Sequence, residues 1–267
     1  MVFFKTVLIF FNYRRFDISR KLLKFRIRER KNTQVDWFVF DNSCQIPNLS
    51  FIYERVFGKS HTGFLVEVGA YDGIKYSNSF GLLNRGWGGI LIEPVPEFAL
   101  KCKILHSKNP NVSVVQKAIS NQSEVKKLWI AEAITSLSSN LVEEYRKFEW
   151  SKSLLTDKSL EVQTQTLNEV LSAENVTSNF DLLIIDVEGF EREVLEGFDL
   201  KSWRPKMIII ELSDFHREIK SHNRDHYIVG NILARSDYMV IYKDQVNTIF
   251  VRIEVLNKIF NYNNKGD

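Results

Sequence analysis

Cysteine is nearly absent from this chain: Cys44 and Cys102 are the only two in 267 residues. With no CxxC pair, neither a disulfide framework nor a cysteine-built zinc site is available, and a reducing, cytoplasmic location is expected. Proline is scarce as well, at five. No linker-like stretch, low-complexity tract or internal repeat interrupts the chain. Long apolar runs are missing too. The amino-terminal run Met1–Phe11 is broken by Lys5 and Thr6 and is roughly half of the ~20 residues a spanning helix needs. Its stronger positive charge follows it, in Arg14, Arg15, Arg20 and Lys21, which is the wrong order for a signal peptide, and no small-residue cleavage site is visible. The run reads as a buried first element, with a peripheral membrane or partner contact as the alternative. A net charge of +3 is too small to argue for nucleic acid, although the basic start leaves RNA as a residual reading.

What is present belongs to a soluble globular protein: 44% hydrophobic and 26% charged residues exclude disorder and fibrous classes. Residues 1–60 mix aromatics and charges without a clean period, and are expected to be an N-terminal extension packed on a main domain at 61–267. From Gly63 onward, short apolar runs recur: Phe64–Val68, Gly89–Glu93, Asn111–Ile119, Phe180–Asp186 and Lys206–Leu212. Helical stretches are expected between them over 74–86, 95–107, 189–197 and 222–235. This alternation predicts βαβ units with helices on both faces of a parallel sheet. Tyr238–Tyr242 and Asn247–Arg252 lie too close together for a parallel crossover and predict a hairpin. The result is a mostly parallel seven-stranded, Rossmann-like sheet closed by an antiparallel hairpin, the layout of class I methyltransferases.

The sharpest signal is Glu67-Val-Gly-Ala-Tyr-Asp-Gly73, at the end of the first strand. Gly69 would permit the turn and close backbone approach, because a side chain there is expected to collide with a bound ligand. Glu93 ends the second strand about 20 residues on, where an acid accepts hydrogen bonds from ribose hydroxyls. The loop is not G-x-G-x-x-G, and Glu67 and Asp72 would repel a pyrophosphate at the helix start. They suit the ammonium and sulfonium of S-adenosylmethionine. NAD and a purely structural glycine turn are the competing readings.

Leu65–Gly73, Ser77-Asn78, Gly86–Pro94, Thr166-Leu167, Phe180–Glu191, Val194–Gly197 and Ile208–Glu211, taken in order, resemble the FkbM family of methyltransferases over roughly residues 62–215. The resemblance implies a class I fold, S-adenosylmethionine as methyl donor and O-methylation of a hydroxyl, often on a sugar or secondary metabolite. By position it implies cofactor contacts for Glu67, Gly69, Ala70, Asp72, Gly73, Asn78, Glu93, Pro94 and Ala118. Many members carry Lys or Arg shortly before the D-x-E-G motif; Ile184 and Ile185 stand there instead.

Methyl transfer is an in-line displacement, so alignment is the main task. A hydroxyl must also lose its proton near the transition state, to a base or with help from a metal. Asp186 and Glu188, at the carboxyl end of the fourth strand, are read as general base or divalent-metal ligands. Glu211 and His216 after the fifth strand are further candidates. The plain alternatives are that Asp186 caps the helix starting near Gly189, that Glu188 is an exposed acid favoured by the helix dipole, and that His216 is solvated. His222 and His226 have i,i+4 spacing but lack the HExxH glutamate. An Asp-Val-Glu-Gly segment after strand four, with no cysteine there, argues against amino-methylation and cytosine C5 methylation of nucleic acid. The expected acceptor is a small-molecule or glycan hydroxyl, with residues 120–165, including Trp129, Ser136 and Trp150, forming part of its pocket or lid.

Overall fold

The computed structural model describes residues 44–212, 218–219 and 223–263. These all fall within one compact unit that begins at Phe40. Readings placed on residues 1–43, on His216 and on His222 lie outside the described residues.

A seven-stranded sheet has the order β3-β2-β1-β7-β8-β10-β9. Its strands are β1 (Phe64–Val68), β2 (Gly88–Ile92), β3 (Val112–Val115), β7 (Leu182–Ile185), β8 (Met207–Glu211), β9 (Tyr238–Lys243) and β10 (Asn247–Arg252). All neighbours from β3 to β8 pair parallel, and β10 pairs antiparallel with both β8 and β9. The sheet is therefore mostly parallel and closes in an antiparallel hairpin, as the sequence predicts. The central strands β1, β2, β7 and β8 are near-continuous apolar runs because both their faces are covered. On one face Val66, Val68, Ile90 and Ile92 pack with α5 (Leu167–Ala173), α6 (Glu191–Glu196) and α8 (Asn223–Arg235). On the other, Leu65, Leu91 and Ile184 pack with α1 (Leu49–Phe57), α2 (Phe80–Asn84), part of α3 (Pro96–Leu105) and α9 (Ile253–Asn263). Ile46, Leu49 and Tyr53 are fully buried there, so this segment contributes side chains to the core in spite of its irregular pattern.

Two local expectations are corrected. The third apolar run, 111–119, is two strands, not one. β3 stays in the main sheet, while β4 (Ala118–Ile119) pairs with β6 (Ser159–Gln165). With β5 (Val125–Trp129), these form a separate three-stranded sheet. The helix expected over 74–86 is reduced to α2. Before it, Asp72 Oδ1 accepts from the backbone N–H groups of Ile74 and Lys75 at 2.9 and 2.7 Å. Tyr71 and Tyr76 take left-handed φ values of 47° and 62°. An Asx turn therefore competes successfully with helix nucleation. Between β5 and β6 the chain adds α4 (Ser139–Tyr145), whose Leu141 and Tyr145 form a small core with Ala131, Ile134 and Ile219.

Candidate active site

At the carboxyl ends of the central strands lies a cavity of about 320 Å³. This is the crevice where open α/β sheets bind ligands. Its lining comes from the segments after β1, β2 and β7, from Lys117–Ile119, and from Glu132, Ala133, Ile134, Thr135, Leu137, Trp150 and Leu154.

Glu67, the fourth residue of β1, is only 4% exposed, and its Oε2 accepts from Ser79 Oγ at 2.6 Å. Burial pushes its carboxyl up to about 8; Asp186 and Glu93 add to the rise and the Ser79 bond opposes it. Glu93, 5% exposed, accepts from the backbone N–H of Tyr71 at 2.9 Å and of Val95 at 2.8 Å, one on each oxygen. Burial lifts it to about 7 against those two bonds. It thus ties the β1 loop to the β2 loop, and each oxygen keeps a second lone pair for a ligand.

Gly69 permits a turn and a close backbone approach, as the sequence suggests. A Cβ there would stand 1.8 Å from the carbonyl oxygen of Asp186, and its φ is +88°. The glycine lets the end of β1 lie against the end of β7, where a side chain would clash with the backbone of Asp186. Glu67, Gly69, Ala70, Asn78, Glu93, Pro94 and Ala118 all line the cavity. Asp72 and Gly73 are not among its lining residues: Asp72 is occupied by its turn, and Gly73 faces Leu105 and Cys102. Asn78 is 2% exposed, and its Oδ1 is a buried acceptor without a partner among the described residues.

Asp186, Glu188 and Glu211 come together, with one carboxylate oxygen of each within 4.8 Å of the others. Burial raises all three carboxyls, Asp186 to about 6 and the two glutamates well above the usual range, with mutual repulsion adding to the glutamates. A side-chain hydrogen bond between Glu211 and Asp186 lowers the aspartate and raises the glutamate. Gln45 also bonds Asp186 and is itself held by Asn247 Nδ2 at 3.0 Å.

The alternative in which Asp186 caps the next helix is not what the bonds show. Glu191 Oε1 accepts from the backbone N–H of Val187 and of Gly189 at 3.2 and 3.1 Å, and α6 has no side-chain N-cap. Nor is Glu188 a free surface acid. Its backbone is left-handed at φ 54°, its carbonyl accepts from Ser136 Oγ at 2.6 Å and its Oε2 from Tyr145 Oη at 2.5 Å. His226 is buried beside Glu191, at 3.6 Å.

Gln45, Ser79 and Tyr145 carried no signal in the sequence, because each lies outside the motifs. The D-x-E-G spacing could have suggested Glu191 alone, as the acid following the turn. Of the lid residues expected, Ser136 bonds Glu188 and Trp150 lines the cavity. Trp129 instead lies under Lys127 Nζ, 3.8 Å from its ring centre.

A mostly parallel seven-stranded sheet with a final antiparallel hairpin, and an acid-lined crevice at the ends of its central strands, defines a class I methyltransferase. Residues 67–240, well over half of the chain, match the family model for the methyltransferase FkbM domain. The chain belongs to that family and is an S-adenosylmethionine-dependent methyltransferase. No curated protein sequence matches it.

Among solved structures, it is similar to the O-methyltransferase TomG from Streptomyces achromogenes, at 12% identity and TM-score 0.43, over 93% of each chain. An O-methyltransferase from Bacillus cereus aligns at 12% identity and TM-score 0.42, over 92% of this chain and 94% of that one. The ribosomal protein L11 methylase from Lactobacillus delbrueckii aligns at 11% identity and TM-score 0.41, over 76% of each. Likenesses this distant say nothing of substrate. No helix among the described residues is long and apolar enough to cross a membrane.

Proposed function

We propose that this enzyme transfers the methyl group to a hydroxyl oxygen on a sugar, glycan or small metabolite. The observation that carries this reading is the Asp186/Glu188/Glu211 cluster: Asp186 and Glu188 line the same cavity as Glu67 and Glu93.

The residues present fit the methyl donor. Glu67 and the unpartnered Asn78 Oδ1 offer acceptors to its amino group, and Glu93 offers lone pairs to ribose hydroxyls. Gly69, Ala70, Pro94 and Ala118 supply the close-fitting wall. Asp72 and Gly73 act indirectly, by shaping the loop. The donor, when bound, supplies an electrophilic methyl on sulfonium; the chain's work is to orient the acceptor in line with it and exclude water.

Asp186 takes the acceptor proton. With its carboxyl at about 6 it is ionised at neutral pH yet basic enough to accept, and Gln45 and Glu211 fix its direction. Glu188 shares that role. Three oxygen donors of this kind also fit a hard divalent cation such as Mg²⁺ or Mn²⁺. Asp186 and Glu188 would hold it, with Glu211, and it would lower the pKa of the acceptor hydroxyl. A cytoplasmic setting completes the reading, supported by Cys44 and Cys102 standing outside any disulfide.

Incubating lysate glycans and metabolites with methyl-labelled donor identifies the acceptor. On that acceptor, Asp186→Asn is expected to lose 10²–10⁴-fold in rate, as order-of-magnitude values for a missing base, with S-adenosylhomocysteine affinity nearly unchanged. Loss of activity in EDTA, with recovery in Mg²⁺, assigns the acids to a metal; indifference assigns them to base catalysis. Label entering protein or RNA in place of a hydroxyl compound, or normal turnover in Asp186→Asn, overturns the reading.

A further inference from the structure

The cavity lining includes an aromatic ring that the methyl-transfer chemistry does not use. Trp150 is 48% exposed although it lines the same cavity as Asp186 and Glu188. Exposing a large apolar ring has a free-energy cost that packing elsewhere would avoid.

The ring is nonetheless fixed. It lies nearly parallel to Phe148, at 6.0 Å between centres and 12°, and meets Tyr145 edge-on at 5.4 Å and 69°. Tyr145 is 4% exposed and donates its hydroxyl to Glu188 Oε2 at 2.5 Å. Ser136 Oγ, from the same excursion, binds the Glu188 carbonyl. The aromatic wall and the acid cluster are therefore one mechanical unit, and whatever lies against Trp150 is registered against the carboxylates. The same excursion also lines the cavity with Ile134, Leu137 and Leu154, together with Glu132 and Thr135.

A flat aromatic surface beside acids matches a hydroxylated ring, whose C–H or π face stacks while its hydroxyls point to carboxylate oxygens. An open-chain polyol has no such face and loses more conformational freedom on ordering.

We propose that Trp150 is the specificity-determining platform for the acceptor: it takes the face of a hydroxylated ring and, through Tyr145, sets that ring in register with Glu188. This rests on the hydroxyl-methylation reading above and adds to it the residue that selects ring-shaped acceptors.

The test is saturation-transfer NMR on the full chain loaded with S-adenosylhomocysteine. The probes are methyl α-D-glucopyranoside and catechol as ring compounds and xylitol as the open-chain control. At least one ring probe is expected to bind where xylitol does not. Trp150→Ala should weaken that probe about tenfold, the scale of one aromatic contact, and Trp150→Phe should restore most of it. Because Trp150 is half-exposed, folding should survive, and unchanged S-adenosylhomocysteine affinity by calorimetry verifies this. Ring binding that is equal in Trp150→Ala, xylitol binding as well as the rings, or no probe binding to the loaded protein overturns the platform. Failure to bind S-adenosylhomocysteine at all would instead overturn the cofactor assignment on which it rests.

Discussion

Glu93 shows how one side chain serves both structure and ligand. Its two oxygens each receive a backbone N–H, from Tyr71 and from Val95, so the carboxylate bridges the loops after β1 and β2 before any cofactor arrives. Glutamine is the informative replacement. It keeps the shape, but its amide nitrogen would face one of those N–H groups, donor against donor. Glu93→Gln should therefore weaken S-adenosylhomocysteine binding by about 1–3 kcal/mol, the scale of charge-assisted hydrogen bonds, and calorimetry reads it directly. Wild-type affinity in this variant would remove Glu93 from the cofactor site. Gly69 is the opposite case, a residue whose contribution is the absence of an atom. The 1.8 Å approach of its virtual Cβ to the Asp186 carbonyl means that the cofactor loop and the acid loop are seated against each other.

Among the elements, α5 has the clearest local instruction. Thr166 Oγ1 accepts from the Glu169 N–H at 3.2 Å, and Glu169 Oε2 accepts from the Thr166 N–H at 2.7 Å. This reciprocal box satisfies two donors that a helix start leaves open. The helix then buries Leu167, Val170 and Leu171 against the sheet. Thr166→Ala is expected to cost about 1 kcal/mol, seen as a lower denaturation midpoint with S-adenosylhomocysteine affinity unchanged, since α5 does not line the cavity. The segment before α2 shows the reverse. Its residues have helical spacing, but Asp72 captures two backbone N–H groups and holds Ile74–Ser79 as a loop that brings Ser77 and Asn78 to the cavity.

For the molecule as a whole, the cluster of raised carboxyls links stability to pH. Glu67 at about 8, Glu93 at about 7 and Asp186 at about 6 are each lifted above ordinary values near 4 by burial. Between the ordinary value and the raised one, the native state holds protons that the unfolded chain has released. Stability from these groups therefore falls as pH rises, the reverse of a salt-bridged carboxylate. The decline starts near pH 4, where the unfolded groups ionise, and is complete above about 8. The denaturation midpoint of the ligand-free protein is expected to drop between pH 5.5 and 8.5, and Glu67→Gln should flatten that drop. A midpoint that rises over this range, or an equal slope in the variant, would show that Glu67 is ionised in the native state throughout.

The sequence by itself determined the sheet, the hairpin and the positions of the key acids. Each of these is written in short-range pattern: apolar runs of strand length, turn glycines, and acids placed at strand ends. Period and spacing are properties of contiguous residues, so they survive in one dimension. Only the tertiary structure decided that Asp186, Glu188 and Glu211 form one cluster, that Gly69 is required by the Asp186 carbonyl, and that Gln45, Ser79 and Tyr145 complete the site. Apart from Asp186 and Glu188, those contacts join residues separated by a dozen positions or more: Tyr145 and Glu188 stand 43 apart, and Gln45 and Asn247 stand 202 apart. No local pattern records them, because their partners are chosen by how the sheet and its excursions pack. The split of 111–119 has both causes: Gln116 and Lys117 divide the run into two short pieces, and Ala118–Ile119 gains its pairing only once β6 is in place.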